Sequence, residues 1–274
     1  MKRLPLLCAA LLVVALTLGV APAMSAGDPV LQSLIDGAQR SEKNRLRDRY
    51  RHPLETLAFF GLRDDLTVVE ILPGSGGYWT EILGPYLAAH GAYYAAGPEK
   101  SATSAEQQKE IAGFAAKLAA DPADYGKVIV TEFAGDRHDI VPPGTADLDV
   151  TFRNIHNWMA SGDADQAFAV FFKALKPGGV LGVEEHRGRT DQPQDPLAKS
   201  GYVREDYAIA LAEKAGFRLL ARSEINANPK DTKDYPSGVW TLPPSYRLKD
   251  QDHAKYEAIG ESDRFTLTFV KPAS

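Results

Sequence analysis

The chain is predicted to fold as a doubly wound α/β sheet of seven strands, and three observations predict it. Short, largely apolar runs at 66–72, 92–96, 127–133, 147–152, 180–184, 218–225 and 263–270 alternate with segments whose apolar residues recur at helical spacing. The first run is continuous apart from Glu70 near its end, which implies burial on both faces, as in a parallel sheet. A glycine-rich turn, Gly74-Ser75-Gly76-Gly77, follows that run at once and leads into a helical pattern. Such a layout puts bare backbone N–H groups and a helix N-terminus beside a ligand.

Residues 1–26 stand apart from this domain. Lys2 and Arg3 form a basic start, 4–20 is an apolar run, and small residues at 21–25 offer a cleavage site, together the pattern of a secretory signal peptide. The competing reading is an uncleaved anchor, because the run approaches bilayer length. Export to a bacterial periplasm is expected, with no stable membrane insertion after cleavage. Cys8 is the one cysteine of the 274 residues, so the mature chain would hold no disulfide, thiolate metal site or cysteine nucleophile. Loss of Lys2 and Arg3 would take the formal net charge from −5 to −7. No basic patch points to nucleic acid. A hydrophobic content of 44% with 24% charged residues is ordinary for a globular chain with one sizeable core.

Residues 27–65 are read as an N-terminal helical cap. The segment 30–50 is helical in pattern; Arg45, Arg47, Arg49 and Arg51 fit a solvated face better than the alternative of an anionic substrate, with Arg51-His52 nearer the core pattern. Pro53 starts a further helix that Gly61 ends. The domain proper is 66–274. After the first strand and its turn, a helix begins near Tyr78 and restarts at Pro85 after a kink at Gly84. The segment 101–120, rich in Ala, Glu and Lys, is an amphipathic crossover helix. Strand four, 147–152, leads into Arg153-Asn154-Ile155-His156-Asn157-Trp158. A helix over 163–175 and a turn at 177–179 precede strand five, which ends at Glu184. A polar loop over 184–198, a helix over 204–215 and strand six follow. Residues 226–252 are an irregular insertion, too long to be a mere connection.

The nucleotide-dehydrogenase spacing requires a small residue at 79, and Trp79 is there instead, which argues against a pyrophosphate on this turn. The turn resembles motif I of the class I S-adenosylmethionine-dependent methyltransferases: an acid, then glycines at the second, fourth and sixth following positions. Glu70 matches the acid, Gly74 and Gly76 the later glycines, and Leu72 stands in place of the first. The stretch 146–158 resembles that family's fourth-strand motif, 171–181 its Leu-Lys-Pro-Gly-Gly element, and 213–220 its helix ending in Ala-Gly-Phe. The resemblance covers about 66–270 and implies a Rossmann-like sheet of seven strands with S-adenosyl-L-methionine as cofactor. It assigns Glu70, Pro73, Gly74, Ser75, Gly76 and Gly77 to the methionine end of that cofactor, Asp136 to its adenine and Asn154 to its vicinity. Gly97 occupies the position of the family's ribose-binding acid, so Glu99 inherits that role.

Methyl transfer needs an aligned nucleophile and, for a hydroxyl or ammonium, a base. The carboxyl ends of strands four and five supply His156 and His186 as base or substrate orienter. Arg153, Asn157, Trp158, Glu185, Arg187, Tyr202 and Tyr235 are expected to face the substrate. Trp158 has a core role as its alternative, and Tyr235, Trp240 and Tyr246 form either a lid or a staple for the insertion. Glu184, Glu185, His186 and Asp191 are metal donors by type, but strand alternation separates neighbours, and no metal is expected. The function expected is methyl transfer from S-adenosylmethionine to a small molecule. The alternative is a non-catalytic periplasmic binding or structural protein on the same fold.

Overall fold

The computed structural model describes residues 28–133 and 139–273, so the leader and Asp136 lie outside the described residues. Four short helices open the chain: α1 (Pro29–Ile35), α2 (Glu42–Arg45), α3 (Asp48–Arg51) and α4 (Pro53–Phe59). The single helical stretch expected over 30–50 is therefore broken. Asp28 caps α1 by accepting the amides of Val30 and Leu31. His52, at φ +40, separates α3 from α4, because the residue before a proline cannot easily continue a helix.

Strand β1 (Thr67–Ile71) leads through the glycine turn to α5 (Thr80–Leu87), which runs through Pro85 without the expected restart. Next come β2 (Ala92–Pro98), α6 (Ala105–Ala120), α7 (Pro122–Tyr125), β3 (Ile129–Phe133), β4 (Ala146–Phe152), α8 (Ile155–Ser161) and α9 (Ala164–Ala174). Strand β5 (Leu175–His186) begins at the end of α9 and absorbs the turn expected at 177–179, with a register shift opposite Ala146 and Leu148. The chain closes with α10 (Glu205–Lys214), β6 (Arg218–Ser223), a 3-10 turn (Gly238–Thr241), α11 (His253–Ile259) and β7 (Arg264–Val270).

The seven strands are ordered β3-β2-β1-β4-β5-β7-β6. Neighbours from β3 to β5 are parallel, and β7 is antiparallel to both β5 and β6. The chain winds outward in one direction from β1 and in the other from β4. A crevice therefore opens at the carboxyl ends of β1 and β4, where such sheets take ligands.

Each face of the sheet carries one core. Phe168, Phe171, Leu175, Phe217 and Phe265 fill the side under α8, α9 and α10. Leu57, Phe60, Trp79, Ile82, Leu83 and Phe152 fill the side under the cap and α5. Trp79 is 2% exposed and stacks on Phe152 with ring centroids 4.1 Å apart, so the residue that breaks the dinucleotide spacing is a core residue. Phe60 lies directly on β5 at Gly182, where a Cβ would stand 2.6 Å from its ring. A glycine at 182 is what lets the cap approach the sheet.

Candidate active site

The glycine turn is built for close backbone approach. Leu72, Gly74 and Gly77 adopt positive φ, at +52, +69 and +51. The positive φ at Gly77 favours glycine there, and a Cβ would also crowd the Lys117 side chain at 2.9 Å. At Gly76 a Cβ would meet nothing within 4 Å, and at Gly97 only the Thr131 carbonyl at 4.0 Å. Open space lies beside both backbones. Leu72 takes the left-handed conformation at the position where the family pattern has a glycine, which costs about 1 kcal/mol in an L-residue.

The cap holds this turn in place. Asn44 donates to the Gly76 carbonyl at 3.1 Å, and Tyr78 donates to Asp48 at 2.5 Å. Asp48 in turn forms a two-point ion pair with buried Arg40. Next to the turn, a cavity of about 500 Å³ is lined by Pro73, Gly74, Gly97, Pro98, Lys100 and Glu132 and extends under Phe114 of α6. That volume suits a nucleoside-sized ligand. Glu132 and Glu110 are the carboxylates on its wall; Glu99, expected for the ribose, is not among the lining residues. Sequence reasoning missed both acids, because α6 and the end of β3 approach the turn only in three dimensions.

Glu70 and Asn154 are built into the frame. Glu70 is 2% exposed and accepts the hydroxyls of Tyr93 and Thr80, tying β1 to β2 and α5. Burial pushes its carboxyl up to about 7 against the opposing effect of those two hydroxyls. The side-chain amide of Asn154 donates to the Ile71 carbonyl at 3.1 Å and to the Thr151 hydroxyl at 3.2 Å. It braces the end of β4 against the end of β1.

At the ends of β4 and β5, His156 and His186 come together with ring centroids 5.3 Å apart. Glu185 accepts the backbone amide of His186 at 2.8 Å, that of His156 at 3.3 Å, and His156 Nδ1 at 3.1 Å. A carboxylate only accepts, so Nδ1 of His156 carries a proton, and in the neutral ring the lone pair lies on Nε2. His186 Nδ1 shares a hydrogen bond with the Ser262 hydroxyl. Burial, His156 and then the guanidiniums of Arg153, Arg264 and Arg51 hold His186 well below the usual histidine range. It is therefore neutral. Ligand atoms of His156, Glu185 and His186 lie within 4.8 Å of one another, so the trio also has metal-donor character. Glu184 and Asp191, grouped with them by sequence, go elsewhere, to Arg153 and Arg264 and to Arg189.

Several residues expected to face the substrate do not. Asn157 lies on the exposed side of α8, because one helical turn cannot aim 156 and 157 the same way. Trp158 packs against Phe133, Phe168 and Phe171. Arg187 is consumed by Glu205, Glu224, Asp263 and the Arg264 carbonyl. Tyr202 donates to Asp231 and Tyr235 packs edge-on against Tyr256, so both fasten the insertion. Trp240, from the same insertion, does reach the histidines, with its ring 5.8 Å from His156. Arg153 stays at the site, half-buried at φ +60 and donating to Glu184 at 3.2 Å.

The fold is similar to that of solved methyltransferase structures and of a cyclase. A S-adenosylmethionine-dependent methyltransferase from Aquifex aeolicus superposes with a TM-score of 0.54 at 17% identity, covering 82% of this chain and 92% of that one. Phosphoethanolamine N-methyltransferase 2 from Haemonchus contortus, in complex with S-adenosyl-L-methionine, gives 0.54 at 14% identity over 89% of this chain and 60% of that one. The cyclase SpnF gives 0.55 at 14% identity, over 89% and 93%. No protein-family profile and no curated protein matches the sequence. The chain has the class I S-adenosylmethionine-dependent methyltransferase fold.

Proposed function

We propose that the protein is a methyltransferase that uses S-adenosyl-L-methionine to methylate a small molecule. The observation that carries this is the glycine turn, whose Pro73 and Gly74 line a cavity of about 500 Å³ that runs from the carboxyl ends of β1 and β2 beneath α6. The cofactor fits that cradle. The backbones of Gly74, Ser75, Gly76 and Gly77 would hold its methionine end, and Pro73, Gly97, Pro98 and Lys100 would enclose its nucleoside. Bound there, it supplies a methyl group on a sulfonium sulfur.

The chain's own part in the reaction is positional and acid–base. His156 Nε2, in the neutral ring, takes the proton of the attacking hydroxyl, or of an ammonium so that the free amine attacks, while Glu185 fixes its tautomer and stabilises the imidazolium that forms. Trp240 closes one side of the histidine pair against water.

Calorimetric titration of the full chain with S-adenosylmethionine and S-adenosylhomocysteine tests this reading; no heat from either at millimolar concentration would sink it. Gly76→Val supplies the sharper control. Its side chain enters open space, so the melting temperature should hold, while cofactor binding falls at least tenfold. Unchanged affinity would mean that the turn is not the binding surface. We also propose export, on the strength of the basic, apolar and small-residue order within 1–26. An N-terminal sequence starting at Met1 in soluble cytosolic protein would overturn it.

A further inference from the structure

Beside the histidine pair lies a buried charge cluster with more cations than it can pair internally. Arg47, Arg51, Arg153 and Arg264 converge there on two carboxylates, Glu184 and Glu261. Both acids are fully engaged. Glu184 accepts from Arg153 at 3.2 Å, from Arg264 at 3.0 Å and from Asn226. Glu261 accepts from Arg47 at 2.6 Å and pairs with Arg264 at 3.2 Å.

Arg51 is left over. Its side chain is 3% exposed, and among the described residues its Nε has no hydrogen-bond partner, its ion-pair contact being a Glu261 oxygen 3.7 Å away. Its guanidinium rests on the Tyr78 ring, 4.2 Å from the centroid. A buried cation with unmet donors is costly, and proteins keep such groups chiefly where a ligand completes them. Burial, and then repulsion from Arg153, hold the Arg51 guanidinium well below its ordinary value, as expected of a cation short of anions. Arg153 adds a second incomplete fork. It hydrogen-bonds Glu184 through one nitrogen and is held at φ +60, a conformation that non-glycine residues adopt mostly at functional sites. Arg153 also directly precedes the segment that carries His156.

We propose that the molecule methylated here carries an oxyanion, a carboxylate or a phosphate, which the guanidiniums of Arg51 and Arg153 bind beside His156 and His186. This rests on the methyltransferase reading and names the substrate class it implies. A planar, two-pronged guanidinium matches either oxyanion, and two of them neutralise the cluster's surplus. The anion then anchors the acceptor while its hydroxyl or amine, next to the base, attacks the methyl group; the proton passes to His156 Nε2 and the sulfur–methyl bonding pair returns to sulfur.

The test is calorimetry on the full chain, free and saturated with S-adenosylhomocysteine, using benzoate and inorganic phosphate as probes and benzamide as the neutral match for benzoate. One anion should bind and benzamide should not, with the stronger of the two anions identifying the source. Arg51→Met and Arg153→Met should each weaken that binding about tenfold or more, and Arg51→Lys, which keeps a charge but not the two-pronged fork, should weaken it less than Arg51→Met. S-adenosylhomocysteine affinity should be alike in all three. Arg153, whose side chain is 19% exposed against 3% for Arg51, keeps the test open should Arg51→Met fail to fold. Wild-type protein that binds S-adenosylhomocysteine but neither anion, or anion affinity that survives both Met variants, overturns the proposal. Anion binding lost in the Met variants, with no S-adenosylhomocysteine binding at all, would uphold the oxyanion site and reject the methyltransferase reading instead.

Discussion

Glu70 and Glu261 are both buried carboxyls, and their surroundings drive them in opposite directions. Burial dominates at Glu70 and raises it to about 7. At Glu261 burial is overcome by the joint field of Arg264, Arg51 and Arg47, which brings it down to about 2. Folded Glu70 holds its proton where the unfolded chain has lost it, so its contribution is complete below about pH 4.5 and is lost as pH rises towards 7. Relative to Glu70→Gln, the wild type should lose about 3 kcal/mol of unfolding free energy across that window in urea titrations. Glu261 has the reverse sign: its stabilisation is present above pH 4.5 and disappears as pH falls towards 2. Glu261→Gln should therefore cost about 3 kcal/mol near neutrality and little at pH 2. Parallel pH profiles for wild type and either variant would show that the environments are misjudged. Arg51 shows why such detail escaped the sequence. Its alternating arginine neighbours fit a solvated face, and the partners that bury it, Tyr78 and Glu261, lie 27 and 210 positions further along the chain.

At the level of elements, periodicity found every strand of the described residues and the long helices, because a buried run of Val and Ile or an amphipathic stripe is written locally. It missed α8 and α11, each seven residues long and too short to show a stripe. It also could not separate the aromatic residues of the insertion: Tyr235 and Trp240 are five residues apart in the same loop, yet one packs on α11 and the other on His156. The seating of the cap on the sheet is a contact that one substitution should break. At Gly182→Ala the new methyl would enter the Phe60 ring at 2.6 Å, so α4 must shift. The expected loss is about 1–3 kcal/mol in denaturant unfolding; a smaller change would mean that the cap moves away freely.

Across the whole molecule, the reversal of strand order between β1 and β4 places the glycine turn and the histidine pair at one rim of the sheet. The turn and the histidines were readable as separate motifs. The cap that binds them into one unit was readable only as helices, since its decisive contacts, Asn44 to Gly76 and Asp48 to Tyr78, join segments about 30 residues apart without any local pattern.

Tyr78 directly follows the glycine turn, anchors it to the cap through its hydroxyl on Asp48, and lies under the Arg51 guanidinium with its ring. The two ligand positions thus share a residue, and any free energy that one occupant lends the other must be returned in equal measure. Saturating S-adenosylhomocysteine should tighten benzoate binding, and saturating benzoate should tighten S-adenosylhomocysteine by the same factor; a factor of one would show that Tyr78 transmits nothing. Reciprocity of this kind makes the half-filled protein the weaker complex on either route of assembly. A reactive methyl donor would then be held firmly only in company with an acceptor, and seldom left facing water alone.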